Sequence, residues 1–514
     1  AARPEGTAAP PLRAWIGGEA TLAERLQGAR DLLFVSTLSP RARRDIAILL
    51  HVIDLRDVLL ASRLDADLLA GDSTGRLMLG RVAGALRRIG ARLDGAADHI
   101  RDGTAPAGAA APFAVDTVLA GLGLADDDPR ARLLPSLANR LHRMTTGLGR
   151  IDALLLGASE ALPLTLGQLQ RFVAPDGWPL AALRPHTRFD SPVLRHAVRM
   201  ALALSTAYYL ALALPWGSHP YWLVLSVAVV LRGSLGDTLA RRNARVLGTM
   251  LGCLVVVGLQ HLSSIAFVSV IFLVALGIAH SFVAQRYWLT ATAASVMALL
   301  QSHLVNPAGG FAIGERVADT LLGALLAWCF SYVLPSWERR GVAAAIARVL
   351  RHLQDYAAHS LHAASGDPVE ERLARRQAYD SLAALSAALQ RSRVEPKGVR
   401  LPRRQVATLI DHGERLMAHL SMVRLTLARL SQDTAAPTAQ IDAALAEAAT
   451  AMRGWLSESA PPASPVDDTG PEDLSLLPER PAAHDVMPWL SRRLALMVIE
   501  ASRIRAAAEP AAAG

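Results

Sequence analysis

Apolar and polar positions divide the chain into a central charge-free block between two amphipathic blocks. Residues 201–231, 246–285 and 287–314 contain no Asp, Glu, Lys or Arg. A membrane-spanning helix needs ~20 apolar residues, so the block accommodates six, at about 196–215, 220–236, 246–262, 264–283, 287–304 and 316–335. On either side the pattern changes period. "RRDIAILLHVIDLRDVLLASRLDADLL" and "GRLMLGRVAGALRRIGARLDGAADHI" before the block carry apolar residues at helical spacing against charged ones. So do "GVAAAIARVLRHLQDYAAHSLHAA" and "RRQVATLIDHGERLMAHLSMVRLTLARL" after it, as expected of bundle helices in water. The pattern predicts an all-α chain in three parts. Residues 1–190 form a helical domain, 191–337 a six-helix transmembrane domain, and 338–514 a second helical domain with a Pro-rich, acidic linker near 459–485. "TAPAGAAAP" at 104–112 and "PDGWPLAALRPHTRFDSP" at 175–192 read as irregular connections.

Composition sharpens this division. Of 514 residues, 52% are hydrophobic and 19% charged, with a mean hydropathy of +0.27 and pI ≈ 10.1. The net charge of +8 is spread over many helical faces and interleaved with acids, which argues against a nucleic-acid stripe. Cys253 and Cys329 each lie in an apolar run, which excludes a disulfide framework and points to no metal site. No phosphate loop, nucleophile elbow or paired catalytic carboxylates stand in a suitable context: "GDSTG" at 71–75 lacks the Lys that a phosphate loop requires. The expectation is a protein with no cofactor and no enzymatic activity.

The loop "RGSLGDTLARRNAR" holds Arg232, Arg241, Arg242 and Arg245 against Asp237, whereas "PWGSHP" and "LQHLSS" carry no charge. The positive-inside rule places the Arg-rich loop, and both flanking domains, in the cytoplasm.

Two words recur inside the block. "RVLGTMLG" at 245–252 returns as "RVADTLLG" at 316–323, and the Tyr-Trp-Leu of "PYWLVLSV" at 220–227 returns in "RYWLTATA" at 286–293. A repeat of three spans must place its two copies in opposite orientations, so the expected architecture is an inverted 3+3 repeat. Tyr221 and Trp222 would then lie at the outer face, with Tyr287 and Trp288 at the inner one. Gly248 and Gly252 read as close-packing positions. Asp319, standing where the first copy has Gly248, is the candidate proton carrier; the competing role is a helix-start cap that pairs with Arg316.

"SPVLRHAVRMALALSTAYYLAL", "YWLVLSVAVVLRGSLGDTLARRNARVLGTMLG" and "RVADTLLGALLAW" resemble the FUSC-like membrane transporters, which include fusaric acid resistance proteins and aromatic carboxylic acid exporters. The resemblance covers about residues 190–335. Residues 31–190 are more weakly similar to the soluble segment ahead of the second membrane block in two-block bacterial members, whose first block is not recognised in this chain. The resemblance implies a bacterial inner-membrane exporter of aromatic acids or related organic anions, driven by the proton gradient. It also implies lipid contacts, assembly as a homo-oligomer and an accessory export subunit as partners.

The candidate substrate-binding set is Arg199, Tyr221, Trp222, Arg245, Thr249, Tyr287, Trp288, Arg316, Asp319 and Thr320. Arginine forks hold a carboxylate through both oxygens, and rings stack on an aromatic body. Interfacial anchoring is the competing role for the aromatics. His280 and His261 rank low as proton relays. The rival functions are a channel-like organic anion pathway and a membrane-anchored interaction protein.

Overall fold

A computed structural model describes residues 12–34, 39–69, 73–106, 128–158, 165–172, 191–215, 219–259, 265–283, 286–305, 311–361, 368–430, 438–457 and 487–513, with a few single positions between them. The linker expected near 459–485, the segment 306–310, His261 and most of 104–112 and 175–192 lie outside the described residues. Among the described residues every regular element is a helix. In chain order these are α1 Leu12–Leu33, α2 Pro40–Leu69, α3 Ser73–Asp102, α4 Leu134–Leu155, α5 Leu166–Gln170, α6 Pro192–Ala213, α7 Pro220–Val230, α8 Leu235–Leu259, α9 Ile265–Ser281, α10 Tyr287–Val305, α11 Ile313–Phe330, α12 Glu338–Ser360, α13 Pro368–Arg391, α14 Arg403–Leu430, α15 Thr438–Leu456 and α16 Met487–Ala513. They pack into two units. The first comprises Ala1–Pro175, Val342–Ala387 and Pro402–Gly514; the second comprises Asp176–Gly341 and Ala388–Leu401.

In the first unit each helix buries one apolar stripe. Leu137, Leu141, Met144, Leu148, Ile151 and Leu155 follow one face of α4, and Met78, Val82, Ala85 and Ile89 one face of α3. These stripes meet α2, which also packs on α14; α16 packs on α14 and α15. A polar network crosses this core. Asp57 pairs with Arg375 and accepts a hydrogen bond from Tyr379 Oη at 3.3 Å, while the Arg56 guanidinium lies 4.0 Å over the Tyr379 ring. Burial pulls the Arg375 guanidinium down, but Asp57, Tyr356 and Glu371 more than offset it, so its pKa is raised. Burial pushes the Tyr356 hydroxyl up to about 12.

The second unit reverses the usual distribution of polarity. Three of its helices bury mainly small or polar residues, Arg199, Ala203, Ala207 and Ala211 on α6, Arg245, Gly248, Thr249, Gly252 and Cys253 on α8, and Arg316, Asp319, Thr320, Gly323 and Ala324 on α11, while Trp222, Leu223 and Val227 on α7 and Val296, Leu299 and Leu300 on α10 form apolar clusters beside them. Its exposed faces carry Leu202, Tyr209 and Leu212 on α6, Leu247, Leu254 and Val257 on α8, Phe267, Leu273 and Val274 on α9, and Leu321 and Leu325 on α11. Exposed apolar side chains on several helices, together with buried arginines, suit a lipid environment. Within it α6 packs on α7, α9 on α10, α7 on α11, α10 on α8, and α8 on α11.

Two of these helices, Leu235–Leu259 and Tyr287–Val305, are long and apolar enough to cross a membrane, while Pro220–Val230 is apolar but short. At 1.5 Å per residue α7 is about 17 Å long, roughly half a hydrocarbon core.

The boundary between the second and third helices differs from the sequence expectation. Helix α7 ends at Val230 and α8 begins at Leu235, so most of the expected Arg-rich loop is helical. The cause is local. Ser234 Oγ accepts from the Asp237 amide at 3.1 Å and donates to Asp237 Oδ2 at 2.7 Å, and Thr238 Oγ1 donates to Ser234 O at 2.9 Å. This reciprocal cap starts a helix ahead of Arg241 and Arg242.

The segment 388–401 completes the second unit. Arg391 pairs with both carboxylate oxygens of Glu338 at 2.6 and 3.1 Å, and Glu395 Oε1 accepts from the Glu338 amide at 3.1 Å, capping the N-terminus of α12.

Candidate functional site

The two copies of the repeated word meet where α8 packs on α11. Thr249 Oγ1 lies 3.4 Å from Thr320 Oγ1, the threonines occupying the same place in each word. Ser295 Oγ on α10 donates to Ala291 O at 2.8 Å and lies 3.2 Å from Thr249 Oγ1, and Ser226 Oγ on α7 donates to Trp222 O at 2.9 Å. All four hydroxyl-bearing residues are fully buried.

Glycines set the spacing of these helices. A Cβ on Gly252 would sit 2.7 Å from Thr292 O and 2.8 Å from Ser295 Cβ; one on Gly323 would sit 2.6 Å from Ser226 Cβ and 3.3 Å from Leu223 O. The partner sets, Thr292, Ser295 and Val296 against Leu223, Ser226 and Val227, follow the same order and spacing. This register corrects the Tyr-Trp alignment by about one helical turn: the α10 counterpart of Trp222 is Ala291, and the counterpart of Trp288 is His219.

Arg245 is 3% exposed and Arg316 1%. Nε and Nη2 of Arg245, and Nε and Nη1 of Arg316, are buried with no hydrogen-bond partner among the described residues. Arg245, Asp319 and Tyr221 all lie within electrostatic reach of Arg316, and the Arg316 guanidinium stands 5.0 Å over the Trp222 ring. On the ring's account His219 also stacks, at 4.1 Å and 8°. His219 is held in turn by Glu315: its amide donates to Oε1 at 2.8 Å, its Nδ1 lies 3.1 Å from Oε2, and its Nε2 lies 3.2 Å from Ser302 Oγ. Guanidinium N–H groups without acceptors in an apolar interior cost roughly 1–3 kcal/mol each, so two such arginines at one crossing mark a place where an anion would be stabilised.

The structure thus brings together Trp222, Arg245, Thr249, Arg316, Asp319 and Thr320. Tyr221 stays at its edge, within electrostatic reach of Arg316, while Arg199, Tyr287 and Trp288 are engaged elsewhere. Arg199 is buried among backbone carbonyls, donating from Nη2 to Arg232 O at 3.1 Å and Gly233 O at 2.9 Å, and from Nη1 to Leu334 O at 3.5 Å. Tyr221 is 60% exposed and Trp288 40%, while Tyr287 lies under the Arg241 guanidinium at 4.0 Å. His219, Glu315, Ser226 and Ser295 were not singled out as site residues from the sequence. Ser226 lies four residues after Trp222 but Ser295 seven after Trp288, so the Tyr-Trp words gave no common signal for the two serines.

Residues 203–330 match the family described as fusaric acid resistance protein-like. This segment is similar to FUSC-family membrane proteins. A protein of Neisseria gonorrhoeae named uncharacterized protein ORF2 is 31% identical over 223 residues, 42% of this chain and 53% of its own length. The Escherichia coli inner membrane protein YccS is 30% identical over 223 residues, 42% of this chain and 30% of its own. An uncharacterized protein of Haemophilus influenzae is 27% identical over 221 residues, 42% of this chain and 31% of its own. The aligned part of this chain therefore spans about half of the first relative and under a third of the other two.

Proposed function

We propose that the second unit is an inner-membrane transport domain for small organic anions, with aromatic carboxylates as the leading substrate class and the proton gradient as the driving force. The observation that carries this reading is the pair of buried arginines at the α8–α11 crossing, with guanidinium N–H groups left for a ligand. A carboxylate bound between them would satisfy those donors, and Trp222 would offer its face to an aromatic body. Asp319, 4% exposed on the same helix face as Arg316, is the candidate proton carrier.

The six helices α6–α11 read as two inverted halves. Exchanging α6 for α9, α7 for α10 and α8 for α11 maps the α6–α7 and α7–α11 pairings onto α9–α10 and α10–α8, with the Thr249–Thr320 contact between the exchanged helices α8 and α11; the α6–α11 contact has no counterpart. The difference between Gly248 and Asp319 follows from the same correspondence. Gly248 faces the α10 backbone at Trp288, Ala291 and Thr292, which leaves no room for a side chain; the equivalents beside Asp319 are His219, Trp222 and Leu223, where α7 begins. Arg232, Arg241 and Arg242 support a cytoplasmic side for the α7–α8 connection by the positive-inside rule. The reading assigns no catalysis. A channel-like anion pathway would use the same site without proton coupling.

The test is efflux of a panel of aromatic acids from cells expressing the full chain, its Arg316→Gln variant and its Asp319→Asn variant at matched levels. Transport predicts that Arg316→Gln abolishes efflux and Asp319→Asn removes its dependence on the proton gradient. Unchanged efflux in both would remove the site assignment.

A further inference from the structure

A titrating side chain stands at the edge of the buried arginines, and the repeat does not duplicate it. His219 immediately precedes α7. Its Nδ1 lies 3.1 Å from Glu315 Oε2 on α11, its Nε2 lies 3.2 Å from Ser302 Oγ on α10, and its ring stacks on Trp222 at 4.1 Å. In the register set by Gly252 and Gly323, the equivalents of His219, Glu315 and Ser302 are Trp288, Ala244 and Gly233. None of these titrates.

His219 changes charge without losing a hydrogen bond. An ionised carboxylate only accepts, so Glu315 Oε2 takes Nδ1–H in either state, while Oε1 accepts from the His219 amide at 2.8 Å. A hydroxyl donates and accepts, so Ser302 Oγ donates to a bare Nε2 or accepts from Nε2–H. The proton therefore comes and goes at Nε2. The His219 side chain is 20% exposed against 8% for Glu315, which leaves part of the ring accessible.

The charge arises beside the anion site. The Arg316 guanidinium lies 5.0 Å from the Trp222 ring centre and the His219 ring centre 4.1 Å from it, so the two cations stand at most about 9 Å apart. Besides Glu315, the charged or titrating groups brought here are Tyr221, edge-on to His219 at 5.8 Å, and Arg316 and Asp319 on α11, with Arg245 of α8 beyond Arg316. On α10, His303 follows Ser302 and stacks on Phe311 at 4.2 Å. The charged groups of α6 lie at the opposite end of α7, where Arg199 meets the Arg232 and Gly233 carbonyls.

We propose that His219 is a positioning residue of the anion site. With Nε2 protonated it holds the Trp222 ring by cation–π stacking and strengthens anion binding at Arg245 and Arg316; with Nε2 bare the site binds more weakly. A unit charge about 10 Å from an anion changes its affinity about 10-fold at an effective dielectric of about 20. The inference rests on the anion site proposed above and adds a titrating group to it, distinct from Asp319.

The test is calorimetric titration of the full chain in lipid nanodiscs with benzoate at pH ~5.5 and pH ~8, where a carboxylate stays ionised and an imidazole changes charge. The parent should bind about 10-fold tighter at the lower pH, with the ratio falling to about 2-fold or less in His219→Gln and kept in Asp319→Asn and His303→Gln. Glu315→Gln, which removes the carboxylate that favours the imidazolium, should move the change in affinity to lower pH. Should His219→Gln fail to fold, as judged by its melting, the Glu315→Gln profile decides. Affinity independent of pH in the parent, a ratio kept in His219→Gln, or a ratio lost in Asp319→Asn or His303→Gln instead overturns this proposal alone. No benzoate binding by the parent at either pH overturns the anion site itself, and this proposal with it.

Discussion

Replacing Gly248 by alanine tests the helix contact on which the membrane site depends. A Cβ there would lie 2.5 Å from Ala291 Cβ, 2.7 Å from Trp288 O and 2.8 Å from Thr292 N. Carbon atoms rest at about 3.5–4.0 Å, so α8 and α10 would have to part by about 1 Å. Two of the three atoms are backbone and cannot rotate away. Overpacking of this kind costs roughly 1–3 kcal/mol, against about 1 kcal/mol gained from replacing glycine in a helix. Gly277, within α9, has nothing within 4 Å of its Cβ position. Gly277→Ala therefore carries the propensity gain alone, and the difference between the two variants isolates the contact at about 1–3 kcal/mol. The assay is loss of the monodisperse peak on heating in detergent, followed by size exclusion. Gly248→Ala should melt lower than Gly277→Ala by several degrees. Equal melting temperatures would show that the helices do not approach at Gly248.

Three further outcomes are expected. Arg245→Met, which removes a buried cation with unsatisfied N–H groups, should raise or preserve the melting temperature while transport is lost, because buried charges cost more than apolar replacements of similar size; marked destabilisation would instead make Arg245 structural. Asp57→Ala leaves Arg375 buried without its partner and should destabilise the first unit by about 3–5 kcal/mol in denaturant unfolding; a change within error would show that the network carries no stability. Burial raises the Glu395 carboxyl above the ordinary carboxylate range despite the Glu338 amide, so the fold favours its protonated form, and stability is lost as pH rises through that raised value. Glu395→Gln should therefore melt above the parent at pH 8, with the gap closing toward pH ~5, near the ordinary carboxylate value; a gap constant with pH would contradict this origin.

Much of this architecture is legible in the sequence because lipid and water impose different periods. Charge-free runs mark the second unit, and the four- and three-residue steps of Leu137, Leu141 and Met144 mark a helix of the first. The Thr249–Thr320 contact was implicit in the repeated word. What the sequence does not display is register. Two Tyr-Trp words align on the page, yet in the packed register Trp222 stands opposite Ala291 and not Trp288, and Trp222 stacks inside the site while Trp288 is exposed. Arg199 looked like a pathway cation, and only tertiary structure delivers the carbonyls of Arg232, Gly233 and Leu334 to its guanidinium. The α7–α8 boundary was misplaced because charge was given more weight than the cap formed by Ser234 and Asp237.

The central claim is that the buried arginines hold an anion in transit across the membrane, coupled to protons. The most direct measurement is flux of a radiolabelled aromatic carboxylate in proteoliposomes, with an imposed pH gradient and the membrane potential clamped. The account predicts accumulation against the carboxylate gradient by the parent chain and none by Arg316→Gln or Arg245→Gln. Flux that persists unchanged after collapse of the pH gradient would contradict proton coupling, and equal flux in the arginine variants would contradict the site itself.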